Sequence, residues 1–167
     1  MIAVLEGGHA IAFSFDDMLR YHGGGSPGGV AHAFKVLELA LALLEPEGTP
    51  ERREITIETA FGGPGARDAF ELVTRAVTDD RYVIDPGLAR PELGRASERF
   101  VFRLAYRDRT ITLAVREGFV TEEFIDLARK ESRTADEEDH LDALKLEMAD
   151  LVMASPAGGV YEVLEPD

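Results

Sequence analysis

Residues 26–45, SPGGVAHAFKVLELALALLE, constrain the fold more than any other stretch. Ser26 is a good N-cap, and Pro27 suits the first helical position, where its missing N–H costs nothing. Val30, Ala33, Phe34, Leu37, Leu41 and Leu44 then recur at helical spacing. Val36, Leu39 and Leu43 lie off that stripe and form a second apolar face. A helix apolar over so much of its circumference must be covered on several sides, so it is expected at the centre of the fold. Pro46, Gly48 and Pro50 stop it.

The flanking segments indicate what covers it. Residues 1–12 suggest a short strand or arm. Ser14 with Asp17 three residues on forms a capping box for a short helix that Gly23–Gly25 end. REITIETAF (53–61) alternates as a half-buried strand, GGPG (62–65) breaks it, and Ala66, Ala69, Phe70, Val73 and Val77 give a second amphipathic helix. RYVID (81–85) is a short strand. Strands over about 98–106 and 110–117 flank a tight turn at Arg107–Arg109. Thr121 caps a helix to about 131. A last helix over 136–153 carries Leu141, Leu144, Met148 and Leu151, and VYEVLEP supplies a short terminal strand. Consecutive strands after an alternating start predict a single α+β domain with a mixed sheet covered by helices: helix–strand–helix, then three strands.

Composition narrows the chemistry. The 167 residues contain no cysteine, which excludes disulfides, thiolate nucleophiles and cysteine-held zinc or iron–sulfur centres. A cysteine-free chain suits the cytoplasm, the expected location. The formal net charge is −14, with 18 Lys and Arg scattered along the chain, so nucleic acid is not an expected partner. The N-terminus, MIAVLEGGHAIAF, lacks a basic region and meets Glu6 early, unlike a secretory signal. No run approaches the ~18 uncharged apolar residues of a membrane span.

Two glycine-rich lead-ins to helices are the candidate site. In YHGGGSPGG (21–29), a helix start offers unpaired N–H groups and a positive dipole end, and glycines let a ligand come close. His22, Gly23, Gly24, Ser26, Gly28 and Gly29 are its candidate ligand-binding residues. The stretch lacks the lysine of a phosphate-binding P-loop and does not match GxGxxG. The competing reading is a plain glycine turn with a Ser-Pro cap. In GGPGARDAFE, Asp68 and Glu71 share a face as a metal or acid–base pair, or else are carboxylates favoured by the helix dipole. His32, one turn inside the long helix, either faces His22 or else packs or is solvated, and His9 and His140 have no partners at ligand spacing. Ser26 as a nucleophile would need an oriented base, and the sequence names none.

HGGGSPGGVAHAFKVLELAL, ITIETAFGGPGARDAFELVT and ERFVFRLAYRDRTITLAV together resemble the E-type component of formylmethanofuran dehydrogenase and its stand-alone relatives, over about residues 14–130. The closing VYEVLEP also looks like the family's tail. The resemblance implies helix–strand–helix followed by three strands, homodimers, and a metal such as zinc near a histidine–cysteine loop. His22, Gly23, Pro27 and Gly28 match that motif, and Asp68 and Ala69 match a second one. Gly24 replaces its second histidine, Ser26 its cysteine and Gly65 the cysteine of the second motif, and the paired-cysteine zinc tail is absent. Any divalent metal would rest on His22, Asp68 and water, a weakened set. Methanofuran chemistry is not implied as this chain's activity.

Two functional expectations follow. One is a small-molecule or anion site, with a small acidic ligand as partner, where loops 22–28 and 62–68 converge; His22 would act as acid, base or ligand and Asp68 as its orienter. The other is a non-catalytic homodimeric scaffold or binding protein, its interface drawn from the 27–45 helix.

Overall fold

The computed structural model describes residues 1–166. The chain opens on a β-hairpin, β1 (Ile2–Glu6) and β2 (His9–Phe13). The segment foreseen as a strand or arm is thus two paired strands, because Gly7 and Gly8 sit at φ 55° and 85° and make the tight turn. Helix α1 (Phe15–His22) starts at Ser14, whose hydroxyl accepts from the Asp17 amide while the Asp17 carboxylate takes the Ser14 amide. It stops at Gly23, left-handed at φ 94°.

Helix α2 (Pro27–Leu44) follows, then β3 (Ile55–Thr59), α3 (Pro64–Thr74) and β4 (Tyr82–Ile84). A loop with two short 3-10 turns, at Pro86–Leu88 and Pro91–Leu93, leads to the hairpin β5 (Val101–Tyr106) and β6 (Arg109–Val115). Helices α4 (Glu122–Ala128), α5 (Ala135–Ala154) and α6 (Ala157–Val160) precede the last strand, β7 (Tyr161–Val163). The main sheet runs β4-β3-β5-β6-β7; only the β3–β4 pair is parallel. The fold is α+β with a mixed sheet, in the order the sequence predicts.

Alternation along the strands decides which face is buried. Ile55, Ile57, Phe102, Leu104 and Leu113 point inward, while Thr56, Glu58, Arg103 and Thr112 stay partly or fully in water on the other face. Helix α2 lies at the centre, packed against α1, α3, α5 and strands β5 and β6. By length and composition it could cross a bilayer, yet two-thirds of it is buried inside the protein, as in a core helix. Val30, Val36, Leu37 and Ala40 are wholly shielded; burying one leucine contributes about 1.5–3 kcal/mol relative to exposure. The apolar circumference that the sequence offered for a dimer interface is therefore largely consumed within the chain, with Leu43 its one large hydrophobic residue left exposed.

Helix α3 is anchored at its C-terminal end by arginines. The buried Arg52 donates from Nε to the Val73 carbonyl (2.9 Å) and from a terminal nitrogen to that of Leu72 (2.6 Å). Arg81 donates to Thr74 O (2.9 Å) and to Ile55 O. These cations meet the negative pole of α3 and leave its positive pole, at Pro64–Ala66, to face elsewhere.

Candidate functional site

The two glycine-rich lead-ins meet. The first turns of α2 and α3 abut at Gly29 and Gly65, where the absence of side chains allows backbone contact. A β-carbon on Gly29 would lie 3.3 Å from the Ala66 nitrogen; one on Gly65 would lie 2.5 Å from the Ser26 carbonyl oxygen. Gly28 serves a third contact, since a β-carbon there would stand 2.7 Å from Met148 Sδ on α5.

His22 and Asp68 join the same assembly: His22 Nδ1 lies 2.8 Å from Asp68 Oδ2, and the Ser26 amide donates to His22 Nε2 at 3.0 Å. A backbone N–H only donates, so Nε2 is the bare nitrogen and Nδ1 carries the hydrogen given to Asp68; the bonding assigns the tautomer. The imidazole side of the pair is 8% exposed. His22 thereby ties the end of α1 to the start of α2 and to α3. Its ring is not in the lining of the cleft described below, and both nitrogens have protein partners.

That arrangement does not fit the metal that the family resemblance implies. A metal would have to displace the Ser26 amide from Nε2 or the Asp68 bond from Nδ1. Asp68 is also shared with Arg67 (3.4 Å), and among the described residues no group of three or more His, Asp or Glu side chains gathers to hold an ion. Asp68 and Glu71, read from the sequence as a pair on one face, serve different partners. Glu71 accepts from the Thr78 amide (3.0 Å) and hydroxyl, closing the turn after α3.

On the cavity side of the loops lies a cleft of about 440 Å³. Ser26, Gly28 and Gly29 form one wall, and Phe61 to Gly65 another. Phe61 stacks on Phe100 with centroids 4.2 Å apart, and Phe124, Ile125 and Leu141 complete an apolar surface. Arg99, Arg129, Arg133 and Lys145 also line it, and no carboxylate does. Among the described residues Arg99 and Arg129 have no ion pair, whereas Arg133 is held by Glu138 (2.9 Å) and the carbonyls of Leu127, Ala128 and Lys130. Lys145 Nζ donates to Gly25 O at 3.0 Å, beside the start of α2. The amides of Gly28, Gly29, Gly65 and Ala66 find no acceptor among the described residues, as expected of first-turn donors. Ser26 occupies the N-cap position, but its hydroxyl makes no cap bond. Gly23 and Gly24, at φ 94° and 88°, end α1 and stand outside the cleft lining.

The charge pattern of the first turns matches this geometry. Helices α1, α4 and α5 each begin with acidic residues, such as Asp16, Glu122 and Asp136; α2 and α3 begin with none. The positive poles that α1, α4 and α5 neutralise internally are left open where the cleft lies. Sequence reasoning misses the cations because they come from the segment before β5, the α4–α5 connector and α5, and only folding brings them together. Acid-free first turns behind both glycine runs are the available signal.

A second buried histidine belongs to the core. His32 is fully buried, with Nδ1 2.8 Å from the Tyr161 hydroxyl and its ring 5.0 Å from that of Phe100. Nε2 is buried without a hydrogen-bond partner among the described residues. Burial pushes its pKa down to about 4, against a smaller upward pull from Phe119. His9 is exposed, and His140 pairs with Glu123 at the surface.

Comparison of the chain with protein-family models and with curated proteins found no match.

Proposed function

We propose that this protein binds a small organic anion in the cleft between the starts of α2 and α3 and the α4–α5 segment. One observation carries the reading: in a chain of net charge −14, four cationic side chains and two acid-free helix starts face a single cleft with no lining carboxylate. Each helix start adds roughly half a positive charge and unpaired amides. The volume of about 440 Å³ falls within the ~300–1,000 Å³ common for ligand sites, and the phenylalanine wall suits an apolar body.

The lining offers no histidine, carboxylate or tyrosine to move a proton, and no base accompanies the free Ser26 hydroxyl. We therefore assign binding, not acid–base catalysis, with His22 and Asp68 as the pin that holds the two loops. The proposal keeps the resemblance of residues 14–130 to the E-type relatives of formylmethanofuran dehydrogenase, without that family's metal. The cysteine-free composition and that resemblance extend the proposal to a cytoplasmic homodimer.

Calorimetric titration with benzoate and phenyl phosphate, against neutral benzyl alcohol, tests the reading. At least one anion should give saturable heat that weakens in an Arg99→Gln/Arg129→Gln double variant, and should raise the melting temperature of the wild type. Equal binding of benzyl alcohol, or heat from none of the three, overturns it.

A further inference from the structure

Resting on that reading, we infer that the ligand is an organic phosphomonoester: a tetrahedral dianion on an apolar or aromatic body. Charge is the first argument. Arg99 and Arg129 stand without ion pairs among the described residues, Lys145 adds a third cation, and two helix starts add about half a charge each. A carboxylate contributes one negative charge and leaves most of this field unmatched. A phosphomonoester contributes between one and a half and two at neutral pH, roughly, because its second pKa is about 6.

Donor geometry is the second. The Gly28 and Gly29 amides belong to one helix and the Gly65 amide to another, and the two first turns touch without being parts of one loop; Ala66 is buried against Gly29 and lines no part of the cleft. Three terminal oxygens in a tetrahedron can accept from two separate amide sets and still present an edge to a guanidinium. A planar carboxylate has two oxygens in one plane and serves one such set at a time.

Size is the third. Inorganic phosphate would fill only a small part of about 440 Å³ and leave Phe61, Phe124 and Leu141 uncovered. The stacked Phe61–Phe100 pair offers a ring face to a planar group.

The test uses the full chain and three probes at one ionic strength: phenyl phosphate, benzoate and inorganic phosphate. Phenyl phosphate should bind at least ten-fold tighter than either. Arg99→Gln/Arg129→Gln should shrink its lead over benzoate several-fold with the unfolding midpoint unchanged. Arg95→Gln, which alters a surface pair with Asp126 outside the cleft, should leave the lead intact. If benzoate equals or exceeds phenyl phosphate, the phosphate assignment fails and the anion-binding reading stands. If inorganic phosphate equals phenyl phosphate, the organic body is refuted. If no probe binds, both readings fall.

Discussion

Gly65 packs against Ser26 so closely that a β-carbon at position 65 would stand 2.5 Å from the Ser26 carbonyl oxygen. The obstacle is backbone, which cannot rotate aside. Gly65→Ala should therefore destabilise the protein by about 1–3 kcal/mol, because the starts of α2 and α3 must part. Gly62→Ala is the matched control: a β-carbon there meets nothing within 4 Å. Its urea midpoint should stay within about 0.5 kcal/mol of wild type. Equal midpoints for the two variants would refute the packing argument.

Replacing His22 tests the pin. His22→Ala leaves the Ser26 amide and the Asp68 carboxylate without their part-buried partner, and should cost about 1–3 kcal/mol. Asp68→Asn should cost less, since an amide oxygen still accepts from Nδ1–H. Nitrogen NMR of the ring should find the hydrogen on Nδ1. A stable His22→Ala variant with an undisturbed α1–α2 junction would mean the contact carries no weight.

Acid should weaken the fold through His32. Its pKa in the folded state lies at about 4, below the 6.5 of an exposed histidine, so the unfolded chain takes up a proton first. The contribution is intact above pH 6.5 and is lost as pH falls toward 4, a total on the order of 3 kcal/mol. Glu6, Asp17, Asp79 and Glu137 are held below their ordinary values, chiefly by bonds from Arg53, Ser14, Arg53 and Lys130 respectively, so their losses come at lower pH. Urea unfolding between pH 7 and 5 should show the slope in wild type and a flatter line in His32→Gln. The same slope in both would assign it elsewhere.

Arg52 caps two carbonyls at the end of α3. Arg52→Ala should cost about 2–4 kcal/mol, combining the lost bonds with buried carbonyls left bare. Arg52→Lys should recover little, since one ammonium lacks the planar fork that spans both acceptors. Hydrogen exchange in the last turn of α3 should quicken in both variants; unchanged protection there would count against the cap.

Local chemistry is readable from the sequence where it acts over a few residues. The Ser14–Asp17 box, Pro27 at the start of α2 and the alternation of Ile55 and Ile57 all work at short range, and each appears as expected. The Gly7–Gly8 turn acts at the same short range, yet the expectation of a single strand or arm overlooks it. Ser26 holds the N-cap position but not the bond: its backbone, at φ −142° and ψ 65°, departs from the extended conformation of the caps that do bond at Ser14, Thr121 and Thr134. The meeting of the two glycine loops can be posed as an expectation, since each feeds a helix. The cations at 99, 129, 133 and 145 cannot, because no spacing rule links a pre-strand residue, a connector and a helix face.

The placement of those cations inside an acidic shell has a kinetic consequence. With a net charge of −14, the exterior repels the same ions that the cleft attracts. An anion approaching at low ionic strength climbs a barrier before it reaches the well. Modest salt, up to the ~0.1 M at which charges more than about 10 Å apart are screened, should speed its arrival, while further salt mainly shortens its stay.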